Sequence, residues 1–267
     1  MIDVVCAASL FALVAFGATA WLATGRAHRA RMQRVEQGGG SVWLPLSTQR
    51  GAYWLIEGIG RALARIRISA NAITLASIPF ALAAAVAFTF GHWGIGAVLA
   101  ALSFVCDTLD GIVARVTRSA SDAGEILDAA ADRICEGLLL GGIALQFRAE
   151  PLLLALVLAA GLGAQQVTYA SAKAEVYRVE GIPRGSMRRA ERAVYLVNAA
   201  AGTALLVPFV ASQFAVIPIL VGLGVIAIVG NGSAILRFIA IARALRERDR
   251  HAHDSSPSPH GEPHAAE

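Results

Sequence analysis

Lysine is nearly missing from this chain: Lys173 is the single example among 267 residues, and arginine supplies the rest of the 23 basic side chains. Charge of either sign is scarce. Asp, Glu, Lys and Arg make up 16% of the residues against 56% hydrophobic ones, which excludes an ordinary soluble globule and indicates a polytopic membrane protein. Cysteine is also sparse. Cys6, Cys106 and Cys135 lie in apolar runs without CxxC spacing, which excludes a disulfide framework or a zinc site and leaves them as small apolar filler. A net charge of +4 would suit nucleic acid on a soluble protein. Here the arginines cluster between apolar runs, so the charge is read as membrane topology and no nucleic-acid partner is expected.

What is abundant is apolar sequence in lengths that fit a bilayer. Seven spans of roughly 20 residues are predicted, near 3–24, 71–91, 94–114, 125–146, 151–172, 193–212 and 214–236. The first carries Asp3 ahead of it and arginines only after it, the order of an uncleaved anchor rather than a signal peptide. The arginine-bearing connections fall in alternate loops, with only Arg148 on the other side. The positive-inside rule then puts the N-terminus outside, the C-terminus in the cytoplasm, and the cytoplasmic ends of spans three and four side by side. The expected location is the cell (inner) membrane, multi-pass.

Between the first two spans, Gly38-Gly39-Gly40 marks a flexible joint. Residues 50–67 alternate Tyr53, Trp54, Leu55, Ile59 and Leu63 with arginines, the pattern of an amphipathic juxtamembrane helix lying on the leaflet or packed on protein. The resulting division is an N-terminal transmembrane helix (1–24), a cytoplasmic linker (25–49), a membrane domain (50–245) and a polar tail (246–267) expected to be disordered.

Four aspartates interrupt this apolar sequence: Asp107, Asp110, Asp128 and Asp132. Carboxylates at membrane depth are costly and mark function. They form two pairs at i,i+3 and i,i+4, so each pair lies on one helix face. Two facing helices would then set four carboxylates around one or two hard cations. Oxygen-only ligation favours Mg²⁺, Mn²⁺ or Ca²⁺. Gly111 and Gly124 leave room for a bulky ligand to approach the backbone, and Arg115, one turn beyond Gly111, offers a planar fork for phosphate. Together these residues suit a nucleotide diphosphate bridged by metal, with one carboxylate left as general base. Arg133 and Glu136, at i and i+3, are expected to pair with each other. Asp122 and Glu125 are expected to be solvated, with Glu125 favouring a helix N-terminus.

The string Asp107-x2-Asp110-Gly111-x2-Ala114-Arg115-x8-Gly124-x3-Asp128-x3-Asp132 resembles the signature of the CDP-alcohol phosphotransferase (CDP-alcohol phosphatidyltransferase) family. The resemblance covers about residues 50–245. It implies an all-α integral membrane protein, a six-helix transmembrane core to which the first span is an addition. It also implies a metal-dependent transferase of phospholipid biosynthesis that moves a substituted phosphate from a CDP-linked donor to an alcohol and releases CMP. By the same resemblance, Asp107, Asp110 and Asp128 would hold Mg²⁺ or Mn²⁺, two ions in all. Asp132 would complete that cluster and act as the catalytic base. Gly111, Ala114, Arg115 and Gly124 would cradle the CDP part. Ser69-Ala-Asn71-Ala-Ile-Thr74 is similar to the family's cytidine-binding opening, with Ala70 in place of proline, so Asn71 and Thr74 are carried over as nucleotide-binding.

Tyr169-Ala-Ser171-Ala-Lys173-Ala-Glu175 and the later Arg189-Ala-Glu191-Arg192 are similar to members that make phosphatidylinositol phosphate, with Ser171 and Lys173 replacing a lysine and an arginine. Lys173, Arg189 and Arg192 are accordingly the expected acceptor-binding residues. The expected donor is CDP-diacylglycerol, the acceptor a small polar alcohol with or without a phosphate, and the assembly a homodimer. Within the enzyme class the alternative is a soluble CDP-alcohol donor with a lipid acceptor. From another class the alternative is a divalent-cation transporter, against which Arg115 argues as a fixed cation beside the ligands. An inactive scaffold is a third reading, against which the intact aspartates argue.

Overall fold

A computed structural model describes residues 1–24, 46–179 and 187–254, and it is helical at each predicted span. The helices are α1 (Ile2–Thr24), α2 (Leu46–Arg65), α3 (Ala70–Thr89), α4 (Trp93–Thr117), α5 (Asp122–Gln146), α6 (Pro151–Val176), α7 (Arg189–Leu206), the single turn α8 (Ser212–Ala215) and α9 (Ile217–Asp254). Their starts follow local chemistry. Ser69 caps α3 by accepting from Ala72 N at 3.3 Å, and Ser121 caps α5 by accepting from Gly124 N at 3.2 Å. Pro151 opens α6 where its missing N–H is harmless. Arg118, left-handed at φ 54°, ends α4.

Helix α3 packs on α4 and α5, α6 on α9, and α7 on α4 and α9. Small residues set the close approaches: a Cβ on Gly142 would run into the Ala85 backbone, and one on Gly96 into the Phe88 ring. That is how helices associate when lipid offers no hydrophobic drive. The buried core is correspondingly rich in alanine, with Ala81, Ala84, Ala97, Ala100, Ala160 and Ala200 fully enclosed. Large apolar side chains such as Phe90, Leu152 and Ile228 instead point outward, as they do toward lipid.

Among the described residues, four helical segments are long and apolar enough to cross a membrane: Ala70–Thr89, Trp93–Thr117, Pro151–Val176 and Gln213–His251. The apolar part of α1, Ile2–Gly17, is shorter. Helices α5 and α7 complete the six-helix core but are too polar to meet the same measure. The former carries the aspartates, Arg133 and Glu136, and the latter opens with Arg189, Glu191 and Arg192.

Three boundaries depart from expectation. Helix α7 ends at Leu206 rather than near 212. Residues 246–254, expected in a disordered tail, continue α9 as helix because its Arg and Glu residues are good helix formers. Helix α2 begins at Leu46 and packs on α1 and α4; Gly60 sits directly against Ile112, so one face of this amphipathic helix is held by protein. The Gly38-Gly39-Gly40 joint and residues 255–267 lie outside the described residues.

Helix α1 is docked on the core rather than loosely attached. Ala7 is fully buried. Asp3 Oδ1 accepts from Ile95 N at 2.9 Å, and Asp3 Oδ2 lies 3.2 Å from His92 Nδ1. His92 makes no side-chain cap of its own, so the open amides at the start of α4 take their cap from a different helix.

Candidate active site

Asp107 and Asp110 come from the last three turns of α4, and Asp128 and Asp132 from the first half of α5. Serines tie these helices to α3 just beneath: Ser103 Oγ donates to Ser77 O at 3.0 Å, Ser77 Oγ donates to Thr74 O at 2.6 Å, and Ser77 Oγ lies 3.4 Å from Cys135 Sγ. That frame fixes the spacing of the carboxylates above it.

Oxygens of Asp107, Asp110 and Asp128 all lie within 4.8 Å of one another. Asp110 is buried and accepts a 2.6 Å hydrogen bond from Thr74 Oγ1. Asp128 Oδ1 is buried with no hydrogen-bond partner among the described residues. Buried carboxylate oxygens are ordinarily satisfied. An orphaned one beside two further carboxylates, in an oxygen-only donor set, fits a hard divalent cation.

Asp132 and Asp107 are joined by Arg189, whose Nη1 is ion-paired with an oxygen of each. The sequence assigned Arg189 to an acceptor; the structure sets it among the carboxylates. Arg192, one turn on, is buried and bidentate on Glu136, with Nε to Oε1 at 2.6 Å and Nη2 to Oε2 at 3.0 Å, and its Nη1 donates to Met187 O at 2.7 Å. This corrects two expectations. Glu136 pairs with Arg192 rather than Arg133, because α7 presents a buried guanidinium that the neighbouring α5 turn cannot. Arg192 in turn is committed to the protein frame rather than open to an acceptor.

Of the residues expected at the nucleotide, Asn71 and Arg115 are exposed. Arg115 folds back so that its Nη1 would lie 3.2 Å from a Cβ on Gly111. Asn71 Oδ1 would lie 3.5 Å from a Cβ on Gly124. Asn71, Gly124 and Ser121 thus share one surface. Ala114 is half-buried in the same turn as Arg115. Thr74, expected beside Asn71 at the nucleotide, faces Asp110 instead.

Lys173, expected at the acceptor, has its Nζ 5.4 Å from the Tyr169 ring centroid and 5.9 Å from that of Tyr177. Ser171, standing where relatives of the expected type carry lysine, is hydrogen-bonded by Arg237 from α9. From the sequence alone Arg237 counts only toward topology. Its one signal was its place at the end of the last apolar span, shared by several other arginines.

Comparison with known proteins agrees with this geometry. Residues 67–229 match the family model of CDP-alcohol phosphatidyltransferase. The chain is 28% identical over 173 residues to phosphatidylinositol phosphate synthase of Corynebacterium glutamicum, covering 62% of this chain and 78% of that one. It is 36% identical over 135 residues to archaetidylinositol phosphate synthase of Aeropyrum pernix, covering 51% and 68%. Crystal structures of phosphatidylinositol phosphate synthase from Mycobacterium tuberculosis share the fold at 24% identity. The form with CDP-DAG bound gives a TM-score of 0.60 over 70% of this chain and 92% of that one. The complex with manganese and citrate gives 0.61 over 70% and 88%. With the family model spanning more than half its length, the chain belongs to the CDP-alcohol phosphatidyltransferases, membrane transferases of phospholipid biosynthesis.

Proposed function

We propose that the protein transfers the phosphatidyl group of CDP-diacylglycerol to a phosphorylated polyol of the inositol phosphate class, releasing CMP. The observation that carries this reading is the juxtaposition of two unlike features: the carboxylates of α4 and α5, and the cationic start of α7, whose Arg189 is ion-paired with Asp107 and Asp132. The first suits a metal-bound diphosphate and the second an anionic acceptor. The names of the relatives, inositol phosphate synthases of two lipid types, support the same acceptor.

Asp107, Asp110 and Asp128 would hold Mg²⁺ or Mn²⁺, two ions in the fullest reading. When bound, such ions neutralise phosphate charge and stabilise the departing CMP oxygen. Thr74 orients Asp110 for that task. Arg115, with Gly111, Ala114, Gly124 and Asn71 around it, receives the CDP portion. Asp132 takes the proton from the acceptor hydroxyl, and the resulting alkoxide attacks the β-phosphorus of the donor. The bond from that phosphorus to the bridging oxygen breaks, and the oxygen leaves as part of CMP. Lys173, Arg188, Arg189 and Arg237 draw the acceptor phosphate, while Arg192 and Glu136 hold α7 in register. The arginine distribution supports a site at the cytoplasmic face of the inner membrane, and the resemblance supports a homodimer.

The test is CMP release by purified protein given CDP-diacylglycerol and Mg²⁺ or Mn²⁺, with inositol phosphate, glycerol phosphate and unphosphorylated inositol as acceptors. Release is expected with inositol phosphate and is expected to be lost in Asp132→Asn. Release with the unphosphorylated polyol alone would refute the anionic acceptor. Turnover only of a soluble CDP-alcohol with a lipid acceptor would reverse the donor assignment.

A further inference from the structure

Arg189 sits in a place that charge explains and guanidinium geometry does not. The planar fork of arginine pairs best with a single carboxylate through two nitrogens, as Arg192 does with Glu136. Arg189 instead sets one nitrogen, Nη1, between carboxylates of two helices, Asp107 on α4 and Asp132 on α5. Its Nε is buried without a hydrogen-bond partner among the described residues, and its Cζ lies 6.0 Å from the Phe104 ring centroid. This is how a point cation sits among oxygen ligands.

Asp107 also belongs to the trio that could hold a metal. Four formal negative charges stand here, and Arg189 brings a single positive charge to them. A bound divalent ion would satisfy Asp107 better and would repel the guanidinium. At the start of α7, Arg188 adjoins Arg189, and this pair of cations marks where an anionic ligand would gather charge.

We propose that Arg189 is a resident stand-in for the divalent cation. It bridges Asp107 and Asp132 while no ion is bound, and ion loading expels its guanidinium toward the basic end of α7. Resting on the acceptor reading above, the freed guanidinium then becomes a ligand for the acceptor phosphate. Metal and phosphate strengthen each other's binding through this one side chain, and the coupling is reciprocal.

The test is a Mn²⁺ titration of the full-length protein in detergent, followed by electron paramagnetic resonance, for wild type and Arg189→Gln, each with and without inorganic phosphate. Arg189→Gln is expected to bind Mn²⁺ about tenfold more tightly. Phosphate is expected to tighten Mn²⁺ binding in the wild type and not in the variant. Equal or weaker Mn²⁺ binding by Arg189→Gln, or phosphate coupling that survives the substitution, overturns the proposal. Should the variant prove too unstable to titrate, the Mn²⁺-induced rise in melting temperature serves instead. It is expected to be larger in the variant than in the wild type, and an equal or smaller rise overturns the proposal. Failure of either protein to bind Mn²⁺ overturns the metal reading and this inference together. Confirmed competition without CMP release would instead count against the transfer reading alone.

Discussion

In the proposed mechanism Asp132 is the base beside three metal-holding carboxylates, and substitution separates the two roles. Asp132→Asn is expected to lower turnover by at least about 100-fold, the usual scale for losing a general base, while donor binding persists. CMP release and binding of a labelled CDP-diacylglycerol check the two halves, and equal turnover would remove Asp132 from the mechanism. Thr74 makes a subtler case. It touches no ligand in the proposed mechanism, yet it donates to Asp110 at 2.6 Å. Thr74→Val is expected to weaken Mn²⁺ affinity about 10–100-fold, the range found when a residue supporting a metal ligand is removed. An unchanged titration would mean that Asp110 is held without it. The aspartates themselves were legible in the sequence because helical spacing alone puts each pair on one face. The role of Thr74 was not, because a hydroxyl aimed from α3 into α4 leaves no trace in the local pattern of either helix.

Between elements, the Glu136–Arg192 pair joins α5 to α7 inside the bundle. Breaking it from one side leaves a buried charge unanswered. Glu136→Ala is expected to destabilise the protein by about 3–5 kcal/mol, seen as a fall in melting temperature in detergent. The double change Glu136→Leu with Arg192→Met is expected to regain most of that loss, and failure to regain it would mean that the pair does more than balance charge. In the sequence Glu136 finds its nearest partner in Arg133, because proximity along one helix is all a single sequence offers. The actual partner is 56 positions away and is set by how α7 docks. Arg237 escaped for the same reason, since its contact with Ser171 spans two helices far apart in the chain. Helix positions were the most readable feature, and the end of α9 the least, because alternating Arg and Glu carry no stop signal. Helix spacing is equally exposed to test. Gly142→Leu is expected to force α3 from α5, since even a Cβ meets the Ala85 backbone, and to lower both thermal stability and Mn²⁺ binding. A stable, metal-binding variant would show that the two helices can separate without disturbing the site.

For the molecule as a whole, the addition to the family core is α1, and Asp3 is its fastening. Removing residues 1–24 is expected to expose the start of α4 and lower the melting temperature, while Mn²⁺ binding at the far end of α4 survives. Loss of metal binding would mean that α1 shapes the site through the length of α4. At the other end, α9 runs for 38 residues, about 57 Å at the usual helical rise, while the hydrocarbon layer is about 30 Å thick. Where the helix leaves α6, Arg248 Nη1 donates to Tyr177 O at 3.1 Å, which braces it against the end of that neighbour. The last turns therefore rise from the membrane like a mast stayed at its foot. A fluorophore placed at residue 250 would ride at a fixed height above the headgroups, making this enzyme a ruler for the distance between its own lipid surface and anything that approaches from solution.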